Sequence, residues 1–213
     1  MTETATEWSL RTWKQRHEDG YFPKSQEHSL WRIYEQVPDW LATECNAETQ
    51  ALEIGCGYGQ WLQPLSRLVK LACGFDIHSD VINKGVRLLD AHDVRNVILW
   101  LNDGTSIPAG SDVADLVYSI SVFQHLPRAI VTGYLDESFR VLKPGGVALH
   151  HFRNMDNVGP FPQPAADIVA NHTGDFSAGW TKQECLDAFR AAKFSGCTVN
   201  DLGLHLVCRG VKR

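Results

Sequence analysis

The spacing of apolar positions changes along the chain, and each change predicts a different element. Between Gln26 and Glu44, the residues Leu30, Ile33, Tyr34, Val37 and Leu41 recur at steps of three and four. That spacing lines one face of an amphipathic helix. Pro38 bends or restarts it, because proline lacks an N–H and its ring clashes with the preceding turn. From Ala51 onward, short apolar runs alternate with helical stretches. Strands are expected at 51–54, 71–76, 97–101, 114–120 and 146–152, with helices at 60–69, 80–92 and 128–142. Such a β-α-β-α order predicts an α/β fold with a mostly parallel sheet and helices on both faces. Thr181 and Glu184 have capping-box spacing ahead of a helix running to about Lys193. Two short runs at 197–202 and 204–209, joined at Gly203, read as an antiparallel hairpin on the sheet edge. Residues 153–180 hold three Pro and three Gly with little periodicity, so a long substrate or lid loop is expected there. The chain divides into an N-terminal segment, 1–45, and a main domain, 46–213.

Composition narrows the classes of function. The 213 residues are 44% apolar and 21% charged, enough for one packed domain with a small appendage. The net charge of −5 comes with no long basic run, which argues against nucleic acid as the main partner. No run of about 18 apolar residues suggests a membrane span. The first residues, MTETATEWSL, lack a basic stretch followed by an apolar one, so a cytoplasmic location is expected. The six cysteines form no C-x-x-C pair and read as free, mostly buried thiols, with no metal site. Four of the seven tryptophans (Trp8, Trp13, Trp31 and Trp40) fall in the first 40 residues, too many for a solvated arm.

The chemistry concentrates where the first expected strand ends, in Glu53-Ile54-Gly55-Cys56-Gly57-Tyr58-Gly59. Glycines at alternate positions let the backbone turn tightly and approach a ligand with no side chain between. Ligands in doubly wound sheets bind at the carboxyl ends of the strands. A dinucleotide fingerprint has a third glycine at position 60, where this chain has Gln. Glu53 adds negative charge beside the turn, which disfavours a phosphate and favours a cationic ligand.

LEIGCGYGQW resembles the first motif of class I S-adenosylmethionine (SAM)-dependent methyltransferases, and further motifs follow in order. Asp76 ends the second strand in LACGFDIH, Asn102-Asp103-Gly104 follows the third, Asp115 opens the fourth in DLVYSISVFQHLP, and LKPGGVALH leads into the fifth. The likeness spans about residues 50–152. It implies a Rossmann-like fold with a mostly parallel seven-stranded sheet, an antiparallel C-terminal hairpin strand, and SAM as cofactor. It further implies that Gly55, Cys56, Gly57 and Gly59 lie under the amino-acid end of SAM, which Glu53 supports. Asp76 and Ile77 then take the ribose, Asp103 and Gly104 the adenine, and Ser119 lies at the crevice end of its strand. Asp115, at the start of its strand, reads as structural, and Pro144-Gly145-Gly146 as a turn.

On the acceptor side, His125 lies just beyond the fourth strand, where similar spacing in small-molecule N- and O-methyltransferases puts a His near the acceptor. It is the candidate base if the acceptor must lose a proton. His150 and His151 point to opposite faces of a strand, so one of them, taken as His151, faces substrate together with Arg153, which suits an acidic acceptor. Trp13-Lys14-Gln15-Arg16-His17-Glu18-Asp19-Gly20-Tyr21 resembles the entry segment that folds over the cofactor in several small-molecule methyltransferases. Trp13 and Tyr21 are accordingly expected to close the site. The function expected is methyl transfer to an O or N atom of a small molecule. The alternatives are an NAD-dependent oxidoreductase and a SAM-binding partner subunit without chemistry; oligomeric state is not legible.

Overall fold

The structure is a computed structural model that describes residue 7 and residues 11–15, 36–157 and 179–213. Its sheet contains β1 (Gln50–Ile54), β2 (Leu71–Asp76), β3 (Val97–Leu101), β4 (Ala114–Ser119), β5 (Leu142–Asn154), β6 (Gly179–Trp180), β7 (Ser195–Asp201) and β8 (His205–Val211). The order is β3-β2-β1-β4-β5-β8-β7, with β6 against β5. Pairing is parallel from β3 through β5 and on to β6, while β8 is antiparallel to both β5 and β7. The helices are α1 (Asp39–Ala42), α2 (Leu62–Leu65), α3 (Ser79–Ala91), α4 (Arg128–Val141) and α5 (Lys182–Ala191); residues 11–15 are also helical.

Strand alternation divides the core between the two faces of the sheet. On one face Leu52, Phe75, Val117, Phe123, Phe152 and Phe189 pack together. On the other, Ala51, Ala72, Leu116, Tyr118 and Val207 pack with Leu41 and Leu62. The order reverses between β1 and β4, so their carboxyl ends open a crevice at the switch point.

Three expectations need correction. The sheet has eight strands rather than seven, because Gly179–Trp180, placed in the 153–180 loop by the sequence, pairs with Arg153 and Asn154. The fifth strand begins at Leu142 rather than 146: Gly145, at φ +85°, donates to the Lys212 carbonyl, and Lys212 donates back to Gly146. The Pro-Gly-Gly turn is thus absorbed into the ladder at a register slip opposite Ala114–Leu116. The helix expected over 60–69 shrinks to Leu62–Leu65, since Pro64 supplies no N–H and the Asn96 side chain donates to the Ser66 and Val69 carbonyls. The remaining 158–178 and residues 16–35, with Tyr21, Trp31 and most of the amphipathic stretch, lie outside the described residues. The restart at Pro38 is present: α1 begins directly after it.

Several sequence readings hold. Asp115 is structural, accepting from the Gln50 N–H and from Lys143, both at 2.8 Å. All six cysteines are free, four of them buried. Thr181 caps α5, with its hydroxyl accepting from the Glu184 N–H while Glu184 accepts from the Thr181 N–H. Thr181→Ala is expected to cost about 1 kcal/mol. In thermal unfolding that reads as a fall of roughly 2–4 °C in Tm, with the sheet and ligand binding unchanged.

Candidate functional site

The crevice floor is the turn after β1. Gly55, Gly57 and Gly59 have φ of +68°, +55° and +78°, the left-handed region that β-carbons disfavour. A Cβ on Gly55 would also lie 2.6 Å from a methyl of Val122. Gly55 and Cys56 donate to the Phe75 carbonyl, which ties the turn to β2. Cys56 is buried, and burial raises its thiol pKa, so it fills space as a neutral group.

Three carboxylates lie toward the carboxyl ends of β1, β2 and β3, each in a different state. Glu53 is fully buried and accepts from the Tyr118 hydroxyl at 3.0 Å, while its Oε1 has no partner. Burial pushes its pKa well above the ordinary carboxylate range; the Tyr118 bond opposes that and the charge of Asp76 adds to it. An orphaned buried acceptor is costly, and it matches a ligand that brings a cationic donor. Asp76, at the end of β2, accepts from the Gly57 N–H at 3.0 Å and from the His78 N–H at 3.3 Å. Burial raises its pKa, and the N–H groups of Gly57, His78 and Ile77 partly offset that. Asp103 is exposed. Its carboxylate accepts from the Thr105 N–H, the Ser106 N–H and the Ser106 hydroxyl at 2.8–2.9 Å. Partial burial works against the charge there, but these bonds prevail and hold the pKa below the usual value. Asn102 shapes the same loop by bonding Gly104 and Ser106, and Gly104 sits buried at φ +83°.

The other side of the crevice is built at the ends of β4, β5 and β8. Ser119 is fully buried, with its hydroxyl 3.1 Å from His150 Nδ1. That takes the side chain to the face opposite Glu53, where Ser138 holds the other nitrogen of His150 and Phe123 stacks on its ring. Burial lowers the His150 pKa to about 3, which makes it a neutral core histidine. Beyond Ser119 the chain turns through Ser121, which has φ +59°, a strained conformation for a residue with a β-carbon. The Ser121 N–H donates to His151 Nδ1 at 3.3 Å. His151 is buried, its ring lies nearly parallel to Trp40, and its centroid is 4.5 Å from that of His205.

His125 closes the short helical turn Phe123–His125. Its ring meets Trp13 edge-on at 4.9 Å, its carbonyl accepts from the Trp13 indole, and Gln124 lies 3.0 Å from its Nε2. The helical stretch 11–15 therefore sits against the turn that follows β4. Tyr21 and His172 lie outside the described residues. Among the described residues no group of three or more His, Cys, Asp or Glu is arranged to hold a metal ion. No helix among them is long and apolar enough to cross a membrane. The sequence did not single out Tyr118, Ser121 or His205. Tyr118 and His205 owe their places to cross-strand register, facing Glu53 and Arg153, and Ser121 owes its place to the turn after β4 that meets His151.

Residues 51–146 match a family model described as a methyltransferase domain. A probable S-adenosylmethionine-dependent methyltransferase of Mycolicibacterium smegmatis is 29% identical over 128 residues, 60% of this chain and 47% of the relative. The chain thus spans about half the length of the curated relative it matches. Among solved structures, DhpI in complex with SAH superposes with a TM-score of 0.68 at 18% identity, covering 100% of this chain and 98% of that one. A SAM-dependent methyltransferase from Methanosarcina mazei superposes with a TM-score of 0.67 at 17% identity, covering 83% and 98%. These superpositions show the fold.

Proposed function

We propose, from the match of residues 51–146 to a methyltransferase-domain model and the likeness to a SAM-dependent relative, that the chain is a class I methyltransferase that uses SAM to methylate an O or N atom of a small molecule. The observation that carries this reading is the buried, unpartnered Oε1 of Glu53 beside three left-handed glycines. It suits the ammonium of an amino-acid moiety and would repel a pyrophosphate, which disfavours an NAD-dependent oxidoreductase. When bound, SAM supplies a methyl group made electrophilic by its sulfonium sulfur.

The chain's residues divide the remaining work. Glu53 receives the ammonium, and Gly55 and Gly57 let the backbone lie close to it. Asp76, already aligned by the Gly57 N–H, offers its carboxylate to a ribose diol. Asp103 keeps unused lone pairs for an adenine amino group, with Gly104 leaving room beside it. The helical stretch 11–15 lies over the site, a reading supported by the packing of Trp13 on His125. With SAM bound, its methyl group would pass to the acceptor's O or N atom, the S–C electron pair would stay on sulfur, and His125 would take the acceptor's proton. To take it at Nε2, His125 exchanges its contact with Gln124 for the acceptor. Aligning the two reactants contributes several kcal/mol to lowering the barrier.

The test is ligand-induced tryptophan fluorescence together with calorimetry. S-adenosylhomocysteine is expected to change the emission and bind saturably, and NAD to do neither; the reverse pattern overturns the reading. His125→Ala is expected to keep S-adenosylhomocysteine affinity while methyl transfer from tritium-labelled SAM into a small-molecule extract falls by about 10²-fold or more. Undiminished transfer would remove His125 from the mechanism.

A further inference from the structure

One group of side chains at the crevice has donors that no carboxylate among the described residues pairs with. Arg153 and His205 stand opposite each other in the β5–β8 ladder, and His151 lies two residues earlier on β5. Period-two alternation puts all three on one face, the face that carries Tyr118 and Val207. Ser121 joins them from the end of β4 through its bond to His151, and the neighbouring Val122 touches the glycine turn at Gly55. The cluster is therefore continuous with the cofactor site along the crevice.

The chemistry of the cluster is that of donors. Because His151 Nδ1 accepts from Ser121, its proton sits on Nε2, which is left as an N–H donor. Burial, with a smaller contribution from His205, lowers its pKa to about 4, so it remains a neutral donor at physiological pH. His205 Nδ1 is buried without a partner. Arg153 is half-buried and takes part in none of the ion pairs among the described residues. Among the described residues, Asp201 on the neighbouring β7 is engaged elsewhere: it pairs with Lys182, whose backbone N–H donates to Asp156. A guanidinium with two imidazoles, and no carboxylate paired with them among the described residues, is suited to an anion.

We propose that the methyl acceptor is a small molecule carrying an oxyanion, a carboxylate or a phosphate, and that Arg153, His151 and His205 bind that oxyanion. The proposal rests on the methyl-transfer reading above for the word acceptor; the anion site itself does not. Arg153 supplies the charge and the planar pair of donors, and His151 a directed N–H fixed by Ser121. His205 sets the position of both from the adjacent strand.

The test uses isotope-labelled full-length protein and two probes, inorganic phosphate and acetate, followed by NMR of the Arg153 Nε–H and the histidine ring signals. Saturable shifts are expected with at least one probe. Phosphate alone assigns a phosphate-type group, and acetate alone a carboxylate. Arg153→Gln is expected to weaken the titration about tenfold or more, the loss of one charge-assisted pair, while S-adenosylhomocysteine binds as before. His205→Leu, read the same way, covers the case in which Arg153→Gln fails to fold. Absence of saturation with both probes, or an Arg153→Gln protein that titrates like its parent, overturns the proposal. If the anions bind but S-adenosylhomocysteine does not, the oxyanion site stands and the methyl-transfer reading falls.

Discussion

Asp76→Ala is expected to weaken S-adenosylhomocysteine binding by on the order of 100- to 1000-fold in calorimetry. A carboxylate on a diol makes two charge-assisted hydrogen bonds, each worth about 1.5–3 kcal/mol, and about 1.4 kcal/mol is a tenfold change in Kd. The loss extends beyond those contacts, because Asp76 also holds the Gly57 N–H at 3.0 Å and removing it loosens the glycine turn. Asp76→Asn separates the two effects. It retains an acceptor for Gly57 but removes the charge, so it should fall between the parent and Asp76→Ala. A Kd within threefold of the parent for Asp76→Ala would place the ribose elsewhere.

The second large effect is expected at Glu53, where stability and binding move in opposite directions. Its folded pKa is raised above the ordinary carboxylate value of 4.5, chiefly by burial. A group raised in this way favours the folded state below its unfolded pKa, and that contribution is lost as pH rises through the folded value. The free protein therefore carries a destabilised Glu53 at neutral and alkaline pH. Glu53→Gln should raise the Tm of the free protein at pH 8 by roughly 2–4 °C per kcal/mol recovered, and the gap should close as pH falls toward 4.5. The same change should weaken S-adenosylhomocysteine binding about 10- to 100-fold, as one bond between opposite charges is lost. A Glu53→Gln protein that is less stable at pH 8, or that binds as well as the parent, contradicts this account.

Much of the fold was legible in the sequence because its strands are short apolar runs with clear boundaries. The ranges expected for β2 and β3 coincide with those observed, and β1 and β4 differ by one residue at an end. The errors arose where tertiary contacts overrode local signals. Pro144-Gly145-Gly146 reads as a break, yet Lys212, distant in sequence, draws it into β5. Gly179–Trp180 has no strand pattern and pairs only because the end of β5 lies beside it. At the site, the motif residues were legible because backbone conformation demands them, as the glycine φ values show. Tyr118, Ser121 and His205 were not, since their importance depends on which strands are neighbours and in what register. His150 and His151, adjacent and identical in type, differ completely in setting: one is locked between two serines, the other accepts from the Ser121 N–H and packs against Trp40 and His205.

Gly179 and Trp180 are held to the domain by one clasp. They pair with β5, the Met155 N–H donates to the Trp180 carbonyl, and Arg128 holds Gly179 while lying over the Trp180 ring at 4.4 Å. The same guanidinium reaches Glu184 in the first turn of α5 at 2.9 Å. One arginine at the start of α4 thus ties the end of β5 to the start of α5, so that α5 is fixed against the sheet from its first turn.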